Sequence, residues 1–170
     1  EQEAHIKEVL IFDDASTDGS ADIIRNFRLK EASLVVTYFR EQRGIEFIMN
    51  EGLRRSTGEY VYFASSDDFI EKNFFKSALG EIRKAKDFGI LCGWSRLISP
   101  NKEKIGIRPI LSPVLRSGYI GGDRIARSLQ AIDNFLIGNC CIYDRKKLLA
   151  LGGFVNGIGS FADGVMMRAL

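Results

Sequence analysis

Short apolar runs alternate with amphipathic stretches along the N-terminal part of the chain. The runs consist mainly of Val, Ile, Leu, Phe and Tyr and are bounded by turn residues, which predicts strands at 8–14, 34–39, 59–64 and 89–97. Between them, apolar residues recur every three or four positions, which predicts helices at 20–30, 44–56 and 73–86. Strands that alternate with helices predict an α/β fold with a mostly parallel central sheet flanked by helices.

The pattern is less regular in the second half of the chain. Residues 99–117 contain all three prolines and show no clear period, which predicts a long functional loop or lid. Further along, the pattern predicts helices at 122–132 and 144–151, a strand at 136–143, and a helix that begins at 161. Trp94 falls within the predicted strand 89–97, so we expect it in the core, with stacking on a sugar ring as the alternative.

Composition adds few constraints to this picture. The 170 residues are 45% apolar and 27% charged, which is typical of one soluble globular domain. The net charge of +2 gives no reason to expect nucleic acid as a partner, and no apolar run is long enough for a transmembrane helix. Cys92, Cys140 and Cys141 lack a CxxC spacing and lie far from the single histidine, so we expect reduced thiols in a cytoplasmic protein, without zinc.

Two of the predicted strands end in adjacent aspartates. Asp13 and Asp14 finish the first strand, and Asp67 and Asp68 follow the third. In open α/β sheets, ligands bind outside the carboxyl ends of the strands, where such carboxylates repel one another unless a cation or polar ligand lies among them. The alternative is that these residues form turns whose Asp and Ser side chains cap the following helices. The pattern favours a metal and a polar ligand.

Four segments, in order, resemble family 2 of the GT-A-fold glycosyltransferases. They are EVLIFDDASTDGS, NEGLRRSTGEYVYFASSDDF, GGF at 152–154 and FADGVMMRAL at the end of the sequence. The resemblance covers residues 8–170 and implies a GT-A-type fold in one catalytic domain at 1–170. It assigns residues 8–97 to a nucleotide-binding half and residues 98–170 to an acceptor-side half.

The resemblance also implies roles for the two aspartate pairs. Asp14 matches the residue that binds the nucleotide base, and Asp13 and Ser16 belong to the same turn. Asp68 matches the ligand of a Mn²⁺ or Mg²⁺ ion. Asp67 matches a contact to the ribose or to a water on the metal. The implied donor is a nucleotide-diphosphate sugar, with UDP as the expected nucleotide.

In the last segment, Asp163 matches the general base of inverting members, which takes a proton from the acceptor hydroxyl. Arg168 matches an arginine of the same helix, with a structural or phosphate-facing role. The alternative for Asp163 is an acid at a helix start, where the dipole favours negative charge. The expected function is metal-dependent, inverting transfer of a sugar to a saccharide or other hydroxyl acceptor, in polysaccharide or glycoconjugate synthesis.

The sequence departs from the family pattern at three places. The family's first strand would precede Glu1, so we expect a fragment whose sheet has a gap between the strands that end near Asp14 and Asp68. Ser65 and Ala162 stand where many members have acidic residues. These departures keep two alternatives open: a catalytically impaired module that binds nucleotide sugars, and a nucleotidyltransferase of related fold. Segments outside this sequence would provide any attachment to the inner membrane surface.

Overall fold

A computed structural model describes residues 5–85, 87–108, 118–131 and 138–155 of the chain. Their helices and strands, in chain order, are β1 Glu8–Asp13, α1 Ser20–Asn26, β2 Ser33–Tyr38, α2 Ile45–Arg55, β3 Tyr60–Tyr62, α3 Phe74–Lys84, β4 Ile90–Cys92, β5 Ser95–Ile98, β6 Lys104–Arg108, α4 Gly122–Ala131, β7 Cys141–Asp144 and α5 Arg145–Ala150. The alternation confirms the predicted α/β class. In these ranges no helix combines the length and the hydropathy that crossing a bilayer requires.

The strands form separate hydrogen-bonded groups. β1 and β2 pair in parallel over six residues each, from Glu8 opposite Ser33 to Asp13 opposite Tyr38. β7 lies between β3 and β4 and is antiparallel to both. Within the described residues, β1 and β3 belong to different sheets. The ladder is therefore interrupted between the two strands where the family resemblance leaves a gap.

Contacts at the strand ends fix the direction of β3 relative to β1. At the start of β1, Glu8 Oε1 accepts from the amide (2.6 Å) and the hydroxyl (2.9 Å) of Thr57, which precedes β3. At the far end of β1, the amide of Gly44 before α2 donates to Asp14. α2 therefore runs back along β1, and β3 begins at the edge where β1 begins.

Contacts directly after β7 also support this direction of β3. The amide of Arg145 donates to Glu59 O at 3.1 Å, and its guanidinium donates to Ser56 Oγ at 3.0 Å, so β7 ends at the edge where β3 starts. Because β3 and β4 both oppose β7, strands β1 to β4 all run in one direction. The direction of these four strands agrees with the predicted parallel arrangement. Among the described strands, however, only the β1–β2 pair is parallel, and the sequence did not predict the antiparallel insertion of β7.

The core surrounds β7, whose first three residues are all buried. One apolar cluster lies between this strand and α2 and contains Leu53, Val61, Cys141, Tyr143, Leu148 and Phe154. A second cluster, on α3, contains Ala78, Ile82 and Ile142. Side chains of β7 thus contribute to both clusters, as expected for a strand covered on both faces.

Two of the motifs that carry the family resemblance contact each other. The buried side chain of Asn50 on α2 donates to Phe154 O at 2.8 Å and accepts from Phe154 N at 2.7 Å. Gly153 has a left-handed φ of 80°, and a Cβ there would collide with Asn50 Oδ1. Glycine is required at this position both for the backbone conformation and for the space.

Three sequence expectations are wrong in the region that follows α3. The predicted strand 89–97 is broken after Cys92. The amide of Gly93 donates to Cys140 O, just before β7, and the following strand, β5, belongs to a different sheet. Trp94, at the break, is 59% exposed instead of lying in the core. Part of the predicted loop 99–117 is strand β6, which pairs antiparallel with β5. The turn of this hairpin uses a left-handed Lys102, and residues 109–117 lie outside the described residues.

Candidate functional site

The first aspartate pair is built into the fold at the end of β1. Asp13 is 6% exposed, and its carbonyl accepts from Phe39 N at 2.9 Å, which extends the pairing with β2. The carboxylate of Asp14 accepts from Arg43 N (2.7 Å) and Gly44 N (3.0 Å), immediately before α2. Each carboxylate oxygen retains a second acceptor site, so Asp14 could anchor this loop and still accept from a ligand donor.

The turn after Asp14 leads into α1. Ala15 and Gly19 have left-handed φ values of 59° and 86°, and Ser16 between them is exposed. Asp18 Oδ1 accepts from the amide (3.1 Å) and the hydroxyl (2.6 Å) of Ser20, the first residue of α1. These bonds hold the pKa of Asp18 below its usual value. Asp18 therefore satisfies the first amide of α1 from the position before the N-cap, Gly19, which has no side-chain cap. Ser16 is left at the surface beside the first aspartate pair.

The second aspartate pair lies in an exposed loop after β3. Asp67 and Asp68 are both exposed, and the amide of Asp68 donates to Ser65 O at 3.4 Å. Asp68 Oδ2 accepts a hydrogen bond from the side-chain amide of Asn139. The N-cap of α3 is Asn73, without a side-chain capping bond, so capping of α3 does not explain these aspartates.

Asn139 was not among the residues that the sequence singled out. It lies in a 3₁₀ turn, Gly138–Cys140, that precedes β7 within a segment predicted as strand. Its carbonyl accepts from the hydroxyl of Tyr62 at 2.7 Å. The sequence does offer one signal for Asn139: Gly138 and Asn139 directly precede a buried apolar run. Because β7 is antiparallel to β3, its first residues lie at the edge where β3 ends.

The groups beneath this loop stay protonated. Burial raises the pKa of Tyr62 to about 12, and the negative charge of Asp68 adds to the rise. A hydrogen bond with Cys92 and burial raise the pKa of the Cys140 thiol far above its usual range. All three cysteines are free thiols. Tyr62 therefore remains a hydrogen-bond donor throughout the neutral pH range.

The second pair fits a hard divalent cation that shares its coordination with a ligand. Asp67 and Asp68 offer carboxylate oxygens, and Asp68 Oδ1 is not used by Asn139. In the part of the chain that the structure describes, no group of three or more His, Cys, Asp or Glu side chains could hold a metal. Mg²⁺ and similar ions are commonly bound by one or two carboxylates, waters and substrate phosphates. The donor set matches that pattern rather than an all-protein cage.

The structure places both aspartate pairs at one edge of the fold. β1 and β3 run in the same direction from starts that Glu8 and Thr57 join, so Asp14 and Asp68 both lie beyond carboxyl ends. The other two residues that the resemblance singled out, Asp163 and Arg168, lie outside the described residues.

Comparisons with known proteins identify the family of the chain. Residues 1–152 match the family model described as Glycosyl transferase family 2. The chain is 36% identical over 72 residues to the "Putative teichuronic acid biosynthesis glycosyltransferase TuaG" of Bacillus subtilis (strain 168), which covers 42% of this chain and 29% of that protein. It is 24% identical over 146 residues to the poly-beta-1,6-N-acetyl-D-glucosamine synthase of Staphylococcus epidermidis, covering 86% of this chain and 34% of that protein.

A further relative is glycosyltransferase GlyG of Streptococcus pneumoniae, 27% identical over 86 residues, or 51% of this chain and 28% of that protein. The chain thus spans about a third or less of the length of these relatives. The family match confirms the GT-A-type fold that the sequence motifs imply.

Proposed function

The chain belongs to glycosyl transferase family 2, and from this premise we propose that it transfers a sugar from a nucleotide-diphosphate donor to a hydroxyl acceptor. The observation that carries the proposal is the position of Asp14 and Asp68 beyond the carboxyl ends of co-directional strands. Ligands of open α/β sheets bind at that edge. Because both pairs lie at this edge, a single ligand is proposed to contact both.

In this proposal the first pair binds the nucleoside. Asp14, held by the amides of Arg43 and Gly44, has acceptor capacity left for an N–H of the base. Uracil has such a donor, which makes UDP the proposed nucleotide. Asp13 and the exposed Ser16 border the same turn, and Asp67 contacts the ribose or a metal-bound water.

The second pair holds the metal. Asp68, with Asp67 beside it, would bind Mn²⁺ or Mg²⁺ through the carboxylate oxygen that Asn139 leaves available. When bound, the ion supplies positive charge that stabilises the departing nucleoside diphosphate. Asp68 and Asp67 orient that charge at the carboxyl edge of β3.

Asp163 is the proposed general base. A carboxylate that accepts the proton of the acceptor hydroxyl makes that oxygen a better nucleophile toward the anomeric carbon. Attack from the face opposite the leaving diphosphate inverts the configuration at that carbon. Asp163 lies outside the described residues, so this role rests on the sequence motif.

The names of the relatives support a place in polysaccharide synthesis. One is named for teichuronic acid biosynthesis and another for synthesis of a poly-N-acetylglucosamine. We therefore propose a saccharide acceptor. The free cysteines agree with a reducing, cytoplasmic compartment.

A second candidate is a nucleotide-sugar-binding module without catalytic activity. Ser65 and Ala162 favour it, because each replaces an acidic residue of the family pattern. Such a module would bind the donor with the metal and would not cleave it. The two candidates therefore differ in turnover and agree in binding.

The test combines binding and turnover. Thermal melting with UDP and Mn²⁺ should give a higher midpoint than either ligand alone, because a ligand that binds the folded state stabilises it. Hydrolysis of UDP-sugars should be measurable and should fall about 100-fold or more in Asp163→Asn, as expected on loss of a general base. Binding without any turnover would favour the module, and the absence of ligand stabilisation would contradict both candidates.

A further inference from the structure

A side-chain amide connects the exposed aspartate loop to the buried strand of the core. Asn139 Nδ2 donates to Asp68 Oδ2, across a separation of 71 positions in the sequence. The loop residues Ser65 to Ile70 are all exposed, so apolar packing contributes little to the position of Asp68. The bond from Asn139 is thus a specific restraint on the orientation of this carboxylate.

Asn139 is itself held from two directions. The Tyr62 hydroxyl donates to Asn139 O at 2.7 Å, and the ring of Tyr62 packs against Phe74 and Phe75 with centroids 5.4 and 5.3 Å away. On the other side, the next residue, Cys140, accepts from Gly93 N at 2.9 Å. The 3₁₀ turn therefore has a fixed position between the ends of β3 and β4, and the amide approaches Asp68 from a rigid base.

The other half of the Asn139 amide costs stability. Its Oδ1 is buried and has no hydrogen-bond partner among the described residues. A buried acceptor without a partner costs about 1–3 kcal/mol of desolvation. The reversed amide would place Oδ1 against the Asp68 carboxylate, and two acceptors repel, so the observed orientation is the favourable one.

We propose that Asn139 is a positioning residue for the metal–diphosphate site: it holds Asp68 Oδ2 so that Oδ1 is presented to the cation. The inference rests on the proposed function and extends it to a residue that does not touch the substrate. Loss of an outer partner that orients a metal ligand typically lowers metal affinity by about 10- to 100-fold. Asp67 makes no corresponding bond among the hydrogen bonds of the described residues, so Asp68 is the oriented member of the pair.

The test uses Asn139→Leu, which has nearly the same shape but neither donates to Asp68 nor buries an unpaired oxygen. The dissociation constant of Mn²⁺ is measured by the electron paramagnetic resonance of free Mn²⁺ at saturating UDP. We expect it to rise about 10- to 100-fold, while the thermal midpoint stays the same or rises. The affinity for UDP without metal should not change.

Asn139→Ala serves as a second variant, with the same expected loss of Mn²⁺ affinity, in case leucine prevents folding. Asn101→Leu, in the exposed turn between β5 and β6, is the matched control and should change neither quantity. If a folded Asn139 variant binds Mn²⁺ with UDP as well as the parent does, the inference is wrong and the proposed function stands. If the parent itself binds no Mn²⁺ with UDP, both are overturned.

Discussion

The two aspartate pairs look alike in sequence and are held in different ways by the structure. Asp13 is buried, and Asp14 accepts from two backbone amides of the segment before α2. Asp67 and Asp68 are exposed, and Asp68 accepts from one side chain, that of Asn139. Backbone amides belong to the fold, whereas a side-chain donor can be changed without altering the backbone. The first pair is therefore part of the framework, and the second is an exposed pair in which one carboxylate is held by a side chain of the framework.

Asp68→Ala should have the largest effect and should leave the framework intact. Loss of a carboxylate ligand is expected to weaken Mn²⁺ binding at saturating UDP by roughly 100-fold or more. The free energy of unfolding should change by less than about 0.5 kcal/mol, because the side chain is exposed. Titration calorimetry and urea denaturation measure the two quantities. Asp67→Ala is the matched comparison, with a smaller loss of affinity, and equal losses would mean that the two aspartates are equivalent.

Asp14→Ala should show the opposite balance between stability and metal binding. It removes the acceptor for the amides of Arg43 and Gly44, and hydrogen bonds to a charged group are worth more than neutral ones. We expect a loss of about 2 kcal/mol in urea denaturation. Asp22→Ala, which breaks a surface ion pair with Arg25, should cost less than about 1 kcal/mol. An Asp14 variant as stable as the parent would contradict the framework role.

Glu8→Gln extends the comparison to a carboxylate at the opposite edge. Burial opposes ionisation of Glu8, but the amide and hydroxyl of Thr57, the Gly58 amide and Lys7 outweigh it and lower its pKa below 4.5. Because the folded-state pKa is the lower one, ionised Glu8 stabilises the protein above pH 4.5, and this contribution is lost as the pH falls through the folded value.

At pH 7 the substitution should therefore cost about 1 kcal/mol, since the bonds are partly exposed to solvent. The difference between parent and variant should shrink as the pH is lowered below about 4.5, the ordinary value for a glutamate. Urea denaturation at a series of pH values measures it, with the exposed Glu103→Gln as the control. A cost that does not depend on pH would show that the charge of Glu8 is irrelevant.

The sequence predicted those parts of the molecule that local patterns determine. The helices α2 and α3 lie within one or two residues of the predicted 44–56 and 73–86, because their apolar stripes are regular. The Gly-Gly pair after α5 ends that helix as expected, with both residues in the left-handed region. Both aspartate pairs also follow the carboxyl ends of their strands at one edge of the fold, as expected, because this placement depends only on the direction of the strands.

The sequence failed where pairing between distant segments decides the structure. Trp94 and β6 were misplaced because the end of β4 is set by where β7 starts, and nothing near residue 94 encodes that point. Asn139 was missed for the same reason, because its partner Asp68 is in a separate loop. Motif resemblance identified the carboxylates and gave no sign of the amide that orients one of them.

The bonds between Asn50 and Phe154 also limit how far Asp163 can lie from α2. Phe154 is bonded at both its amide and its carbonyl to Asn50 of α2, and Asp14 accepts from the two residues that precede this helix. Only nine peptide units separate that fixed point from Asp163. At roughly 3.5 Å per residue, a fully extended tether of this length reaches about 30 Å, and a helical one much less. If Asp163 is the general base, as proposed, the acceptor hydroxyl that it deprotonates lies within about that distance of Phe154.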